Sequence, residues 1–254
     1  ADGFELDTRM TKDGTAVVFH DARVGRCLDH DGSNPLVSEM SLKELQRLRY
    51  KEDASLCVHT LEEAVELARR RGSQIMIETK DMRRQSELAA HCVGLLRKYD
   101  MLDRAIVLSF DPISLYHVRR LDPEVRTCFL WYPRLMTYYA GRDSCEALSP
   151  IVRCMAPLID LVLDWSAHPA LLPTFLGVSA IGPSVGWRRT YLDAASERGM
   201  MTYLWVVNDQ EVRDDVHELA SRGLYAYSTD HLWPRRCRIT SDHLWPAYTS
   251  GGPA

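Results

Sequence analysis

Glu5 and Asp7 stand two residues apart in the stretch Gly3-Phe4-Glu5-Leu6-Asp7-Thr8-Arg9, and His20-Asp21 follows shortly after. In an extended strand, alternate side chains share a face, so the two carboxylates project together. Thr11-Lys12-Asp13-Gly14 supplies turn residues, and Thr15 to Phe19 reads as a second strand delivering His20 at its end. Paired carboxylates suit a hard divalent cation, and a nearby imidazole suits proton transfer. A β-hairpin with a solvated acidic edge fits the same residues, so this stretch alone leaves both readings open.

The segment resembles glycerophosphodiester phosphodiesterases, in which a Glu-x-Asp strand precedes a turn and a His-Asp pair. Further landmarks follow in order. Ile75-Met76-Ile77-Glu78-Thr79-Lys80 is similar to that family's Glu-x-Lys strand, and Ser109-Phe110 to the Ser-Phe closing the next one. Trp205-Val206-Val207-Asn208 resembles its Trp-Thr-Val-Asn, and Ser228-Thr229-Asp230 its closing Thr-Asp. Leu163-Asp164-Trp165-Ser166 and Gly177-Val178-Ser179-Ala180 look most like a membrane-associated mammalian branch.

The resemblance implies that Glu5, Asp7 and Glu78 hold a divalent metal ion, Mg²⁺ or Ca²⁺. It implies that Lys80 holds a phosphate oxygen and that His20 is one of two histidines in an acid–base pair. Trp205 and Asn208 would line the substrate pocket. The implied reaction is metal-dependent hydrolysis of a glycerophosphodiester, of the glycerophosphoinositol, glycerophospho-N-acylethanolamine or lysophospholipid type. Its products are glycerol 3-phosphate or lysophosphatidic acid, plus an alcohol. Lys80 read without the resemblance is a rim lysine or a counter-charge to Glu78, and Trp205 is equally a core tryptophan.

One family landmark has no counterpart. The opening His-Arg-Gly, with a second histidine and a phosphate-binding arginine, would fall before Ala1, so the chain reads as N-terminally truncated by one barrel strand. Two further readings therefore stand beside the first: an inactive barrel that binds a lipid headgroup or a protein, and a sphingomyelinase D-like phospholipase on the same barrel.

The elements that must position these residues alternate between strand and helix, which is the pattern of repeated βα units around a parallel sheet. Strands are expected at Gly3–Arg9, Gln74–Thr79, Ala105–Ser109, Arg126–Trp131, Leu161–Asp164, Gly177–Ile181, Thr202–Val207 and Leu224–Ser228. One of Leu161–Asp164 and Gly177–Ile181 is surplus if the first strand is missing. Helical periodicity marks Leu61–Arg71, Gln85–Tyr99, Pro112–Leu121, Thr190–Arg198 and Gln210–Arg222. Thr60 with Glu63 forms a capping box, and Gly72 and Gly199 sit where left-handed C-terminal caps belong. The expected fold is an α/β TIM (β/α)8 barrel of the phospholipase C-like phosphodiesterase type. It would occupy residues 1–234 with a small insertion near 21–60, followed by a disordered tail over 235–254.

A length of 254 residues suits one such barrel, and 46% hydrophobic with 26% charged residues describes a globular interior. A net charge of −4 argues against a nucleic-acid surface, and the resemblance implies a small glycerophosphodiester or lysophospholipid as the partner. Seven dispersed cysteines without a Cys-x-x-Cys pair exclude a zinc ribbon. No signal peptide opens the chain. Trp165–Trp187 holds no Asp, Glu, Lys or Arg, but its prolines and glycines break a spanning helix. That segment is expected to cover the barrel or graze a membrane, consistent with membrane association of the full-length protein.

Overall fold

The computed structural model describes residues 2–140, 149–167, 170–184, 193, 195–208 and 224–230. The expected helix Gln210–Arg222, part of Thr190–Arg198, and the tail lie outside the described residues. Strand β1, Gly3–Met10, alternates strictly: Leu6, Thr8 and Met10 are buried, while Glu5, Asp7 and Arg9 share the other face. Thr11 N–H donates to the Thr15 carbonyl at 2.9 Å and Gly14 takes φ +82°, a value that favours glycine. The chain thereby reverses into β2, Ala16–Val18, which pairs antiparallel with β1 from Thr8↔Val18 to Met10↔Ala16.

The remaining strands are β3 (Gln74–Thr79), β4 (Ala105–Ser109), β5 (Thr127–Trp131), β6 (Ala180–Pro183), β7 (Met201–Leu204) and β8 (Leu224–Tyr227). One curled sheet holds them in the order β2-β1-β3-β4-β5-β6-β7-β8, and every neighbouring pair except β1–β2 is parallel. This is the α/β, barrel-type sheet the alternation predicts. Strands β4 and β5 are buried at every position, as continuous apolar runs in a covered parallel sheet must be.

Helix α1 (Leu42–Leu45) belongs to the insertion after β2, whose Val24, Leu28, Val37 and Leu45 pack with Val17 and Phe19 into a cluster of their own. Helices α2 (Leu61–Arg71), α3 (Gln85–Lys98) and α4 (Pro112–Leu121) cover the first half of the sheet. The α2 capping box is formed as expected, and Gly72 closes the helix at φ +65°. Helices α5 (Leu135–Ala140), α6 (Pro150–Ala167) and α7 (Leu171–Leu176) lie between β5 and β6.

Two strand expectations need correction. Leu161–Asp164 is part of α6, not a strand, and Gly177–Ile181 yields a strand only from Ala180. Gly177, at φ +64°, closes α7 instead. The run misleads because α6 is turned inside out. Ile151, Met155, Leu158, Val162 and Trp165 recur at helical spacing but face solvent, with exposures from 43 to 76%. The opposite face carries Ala156 and Asp160, both nearly fully buried. Asp160 accepts the Met136 and Thr137 N–H groups at 2.7 and 2.8 Å, which fastens α6 to the first turn of α5.

The start of α2 also secures the β1–β2 hairpin, since Val18 N–H donates to the His59 carbonyl and Val17 bridges Thr60. Thr60→Ala removes the side-chain acceptor for Glu63 N–H and is expected to lower unfolding free energy by about 1 kcal/mol. Thr60→Ser should keep most of it. Urea unfolding of the two variants checks the difference; equal stabilities would contradict the cap.

Candidate active site

The parallel register of β1 and β3 brings the site together. Asp7 stands beside Glu78 and Glu5 beside Met76, on strands whose mouth-side faces coincide. Glu5, Asp7 and Glu78 each offer a carboxylate oxygen, and all three oxygens lie within 4.8 Å of one another. Lys80 follows β3 and reaches back: its Nζ is 2.7 Å from Glu78 Oε1 and 3.2 Å from Asp7 Oδ1. Lys80 is thus a counter-charge to Glu78, and with its side chain 16% exposed it is not a solvated rim lysine.

The electrostatics of this cluster are lopsided. Enclosure raises Glu78 above the ordinary carboxylate range, and Asp7 adds to the rise while Lys80 opposes it. Glu5 is pushed up to about 8, first by enclosure and then by the charges of Asp7 and Glu78. The residue as a whole is open to solvent, so the like-charge repulsion is the part that a cation would relieve. Lys80 is driven the other way: enclosure lowers it, but Glu78 and Asp7 outweigh that and hold its ammonium well above the usual lysine range. Three ionised carboxylates against one ammonium leave two negative charges uncompensated. An all-oxygen donor set with that surplus fits one hard divalent cation.

His20 arrives at the same mouth at the end of the hairpin, where Phe19 N–H donates to the Asp7 carbonyl at 2.9 Å. Its Nδ1 lies 2.6 Å from Asp21 Oδ1, and Arg26 grips both oxygens of that carboxylate. Enclosure would raise Asp21, but the hydrogen bonds from Arg26 and His20 prevail and bring it to about 2. A permanently ionised Asp21 orients the imidazole through Nδ1 and leaves Nε2 directed elsewhere. The His20 side chain is 60% exposed.

A cavity of about 420 Å³ opens beside these groups. His20, Glu78, Lys80 and Trp205 line it, together with Arg9, Asp21 and Asp81. Its other wall is aromatic and apolar: Phe110, Tyr132, Leu135, Tyr138 and Tyr139. Trp205 is fixed on that side by a bond from its indole N–H to the Gly182 carbonyl at 2.7 Å and by an edge contact with Phe110. Asn208 is not among the lining residues. Its amide donates to Asp230 Oδ2 at 2.7 Å and accepts from Asp230 N–H and Thr229 Oγ1, which joins the ends of β7 and β8. Ser109 is fully buried and bonds the Thr79 carbonyl, so it braces the sheet behind the site.

Sequence reasoning missed Arg9, Arg26 and the aromatic wall. Arg9 was legible in principle, because it continues the alternation of Glu5 and Asp7.

The sequence profile of the glycerophosphoryl diester phosphodiesterase family matches residues 1–232. The chain belongs to that family. "Probable glycerophosphodiester phosphodiesterase 1" of Mycobacterium tuberculosis is 28% identical over 243 residues, covering 86% of this chain and 76% of that protein. Glycerophosphodiester phosphodiesterase 1 of Bos taurus is 27% identical over 222 residues, with 82% of this chain and 63% of the bovine protein covered. Among solved structures, an Oleispira antarctica phosphodiesterase in complex with the product sn-glycerol-3-phosphate superposes with a TM-score of 0.66. The two are 19% identical, and the match covers 90% of this chain and 81% of that one. A glycerophosphodiester phosphodiesterase from Agrobacterium tumefaciens gives 0.65 at 20% identity, covering 91% and 84%. At these identities the structures establish the fold, while the family match places the chain among phosphoric diester hydrolases.

A carboxylate whose pKa is higher in the folded than in the unfolded chain holds extra protons when folded, so its contribution favours folding at low pH. Glu5 rises from an ordinary 4.5 to about 8, and Glu78 shifts in the same direction. Cation-free protein should therefore lose thermal stability as pH climbs from about 5 to about 8. Glu5→Gln should flatten that decline. Melting curves in a chelator across this range are the check, and an equally steep decline in the variant would contradict the assignment.

Proposed function

We propose that this protein hydrolyses glycerophosphodiesters in a reaction that depends on a divalent metal ion. The convergence of Glu5, Asp7 and Glu78 beside Lys80 and His20 at one mouth carries this reading. The three carboxylates would hold Mg²⁺ or Ca²⁺, which supplies charge neutralisation at the phosphate and a lowered pKa for a bound hydroxyl. Lys80, freed in part from Glu78 by that added positive charge, would turn its ammonium to a phosphate oxygen as a point charge. His20, steadied by Asp21, would exchange a proton at Nε2 with the attacking or departing hydroxyl. Trp205 would form the wall against which the glycerol or alcohol group packs. Asn208 would act through the β7–β8 rim rather than by direct contact with the substrate.

The aromatic wall supports a substrate with an apolar chain, carried by the leaving alcohol in a glycerophospho-N-acylethanolamine or by the glycerol in a lysophospholipid, with glycerophosphoinositol the polar alternative. The products would be lysophosphatidic acid or glycerol 3-phosphate, together with the alcohol.

We infer that the outward face of α6 would make any membrane contact. The row from Ile151 to Trp165 is apolar, free of charge and turned outward, and Phe175 on α7 is 88% exposed. The buried Asp160 of α6 fastens it to α5, whose Leu135, Tyr138 and Tyr139 line the cavity. An apolar helical face ending in tryptophan beside a substrate mouth is the form that interfacial contact takes. No helix among the described residues is long and apolar enough to cross a membrane.

Chelation should abolish turnover and added Mg²⁺ or Ca²⁺ should restore it. Glu78→Gln should be inactive while remaining cooperatively folded, because the amide keeps the shape and loses the charge. His20→Ala is expected to cost roughly 10²–10⁴-fold in kcat. Undiminished turnover in Glu78→Gln would remove the metal assignment. For the surface, Leu158→Asp combined with Trp165→Asp should abolish co-flotation with phosphatidylcholine vesicles and leave hydrolysis of a soluble glycerophosphodiester unchanged. Unaltered flotation would place the contact elsewhere.

A further inference from the structure

Arg9 completes the row that begins with Glu5 and Asp7, since positions 5, 7 and 9 of β1 share the mouth-side face. Its guanidinium does not point into bulk solvent. Nε donates to the His20 carbonyl at 2.9 Å, and Nη1 donates to the Lys80 carbonyl at 3.0 Å. Those two residues arrive from opposite sides of β1. His20 follows β2, which pairs with one edge of β1, and Lys80 follows β3, which pairs with the other. Ladder bonds hold each approach only so far: Phe19 N–H meets the Asp7 carbonyl, and Lys80 N–H meets the Thr8 carbonyl. Beyond those points, the two segments are bridged across the mouth side of β1 by Arg9.

The geometry points to Arg9 as the positioning residue that sets the distance between the imidazole of His20 and the ammonium of Lys80. This inference rests on the proposed roles of those two groups. A guanidinium suits the task because its donors form a rigid planar fork, so two carbonyls bonded to one fork cannot drift independently. An ammonium on a flexible stem can bond both carbonyls only by giving up that rigidity. Displacement of a reacting group by about 1 Å costs on the order of 10²-fold in rate, so loosening either carbonyl has a large kinetic effect. Arg9 also lines the cavity.

The test is a double-mutant cycle on the whole protein, with steady-state kinetics on a soluble glycerophosphodiester and a thermal melt for each variant. Arg9→Ala should lower kcat by about 10- to 10²-fold, with KM changed less than about twofold and the melt close to that of the parent. Arg9→Lys should recover only a small part of the loss, and it carries the test if the alanine variant does not fold. In a His20→Ala background, Arg9→Ala should cost several-fold less than in the parent, because one of the two groups it positions is gone. A normal kcat in both Arg9 variants would overturn the inference. So would a loss confined to KM, which marks a substrate contact, or an undiminished penalty in the His20→Ala background. If His20→Ala itself turned over normally, the role of His20 would fall instead, and the two failures are told apart by that single variant.

Discussion

Three carboxylates must share one partly enclosed mouth, and the sheet gives them no other place to go. Asp7 and Glu78 are register partners on adjacent parallel strands, and Glu5 precedes Asp7 on the same face. Strand pairing holds the backbones, so repulsion cannot be relieved by moving them apart. It is met instead by the ammonium of Lys80, by proton uptake on Glu5 and Glu78, or by a divalent cation. Repulsion that the fold maintains is what creates affinity for positive charge. The arrangement of Lys80 and His20 then follows from the same strand ends.

Much of this was legible in the sequence. Period-two alternation in residues 3–10 placed Glu5 and Asp7 on one face, and a Thr-Lys-Asp-Gly turn predicted the hairpin that presents His20. Helices α2 and α4 have the bounds that apolar periodicity and their capping residues indicate. Strands β3 and β4 match their predicted ranges because buried parallel strands bounded by polar residues have little freedom in length. Local rules and global fold agree in these segments.

The failures have physical causes too. Helix α6 exposes its apolar residues and buries Asp160, so a rule that assigns apolar runs to the interior reads Leu161–Asp164 as a strand. Only the tertiary bonds from Met136 and Thr137 to Asp160 explain the inversion, and residue order does not contain them. Arg26 was invisible for a similar reason, since its grip on Asp21 depends on the path of the insertion. Asn208 shows the reverse error: its place beside Trp205 implied a pocket wall, whereas its amide is taken up by Asp230 and Thr229.

The central claim is that the cluster of Glu5, Asp7 and Glu78 is a single cation site at the centre of the mouth. Anomalous diffraction from crystals grown with Mn²⁺ addresses it directly. One peak is predicted about 2.0–2.6 Å from an oxygen of each of the three carboxylates, the range of bonds from oxygen ligands to hard divalent cations. Lys80 should then be displaced from Glu78 Oε1. A peak bound by other residues, or saturating Mn²⁺ with the Lys80–Glu78 pair intact and no density among the carboxylates, would contradict the account.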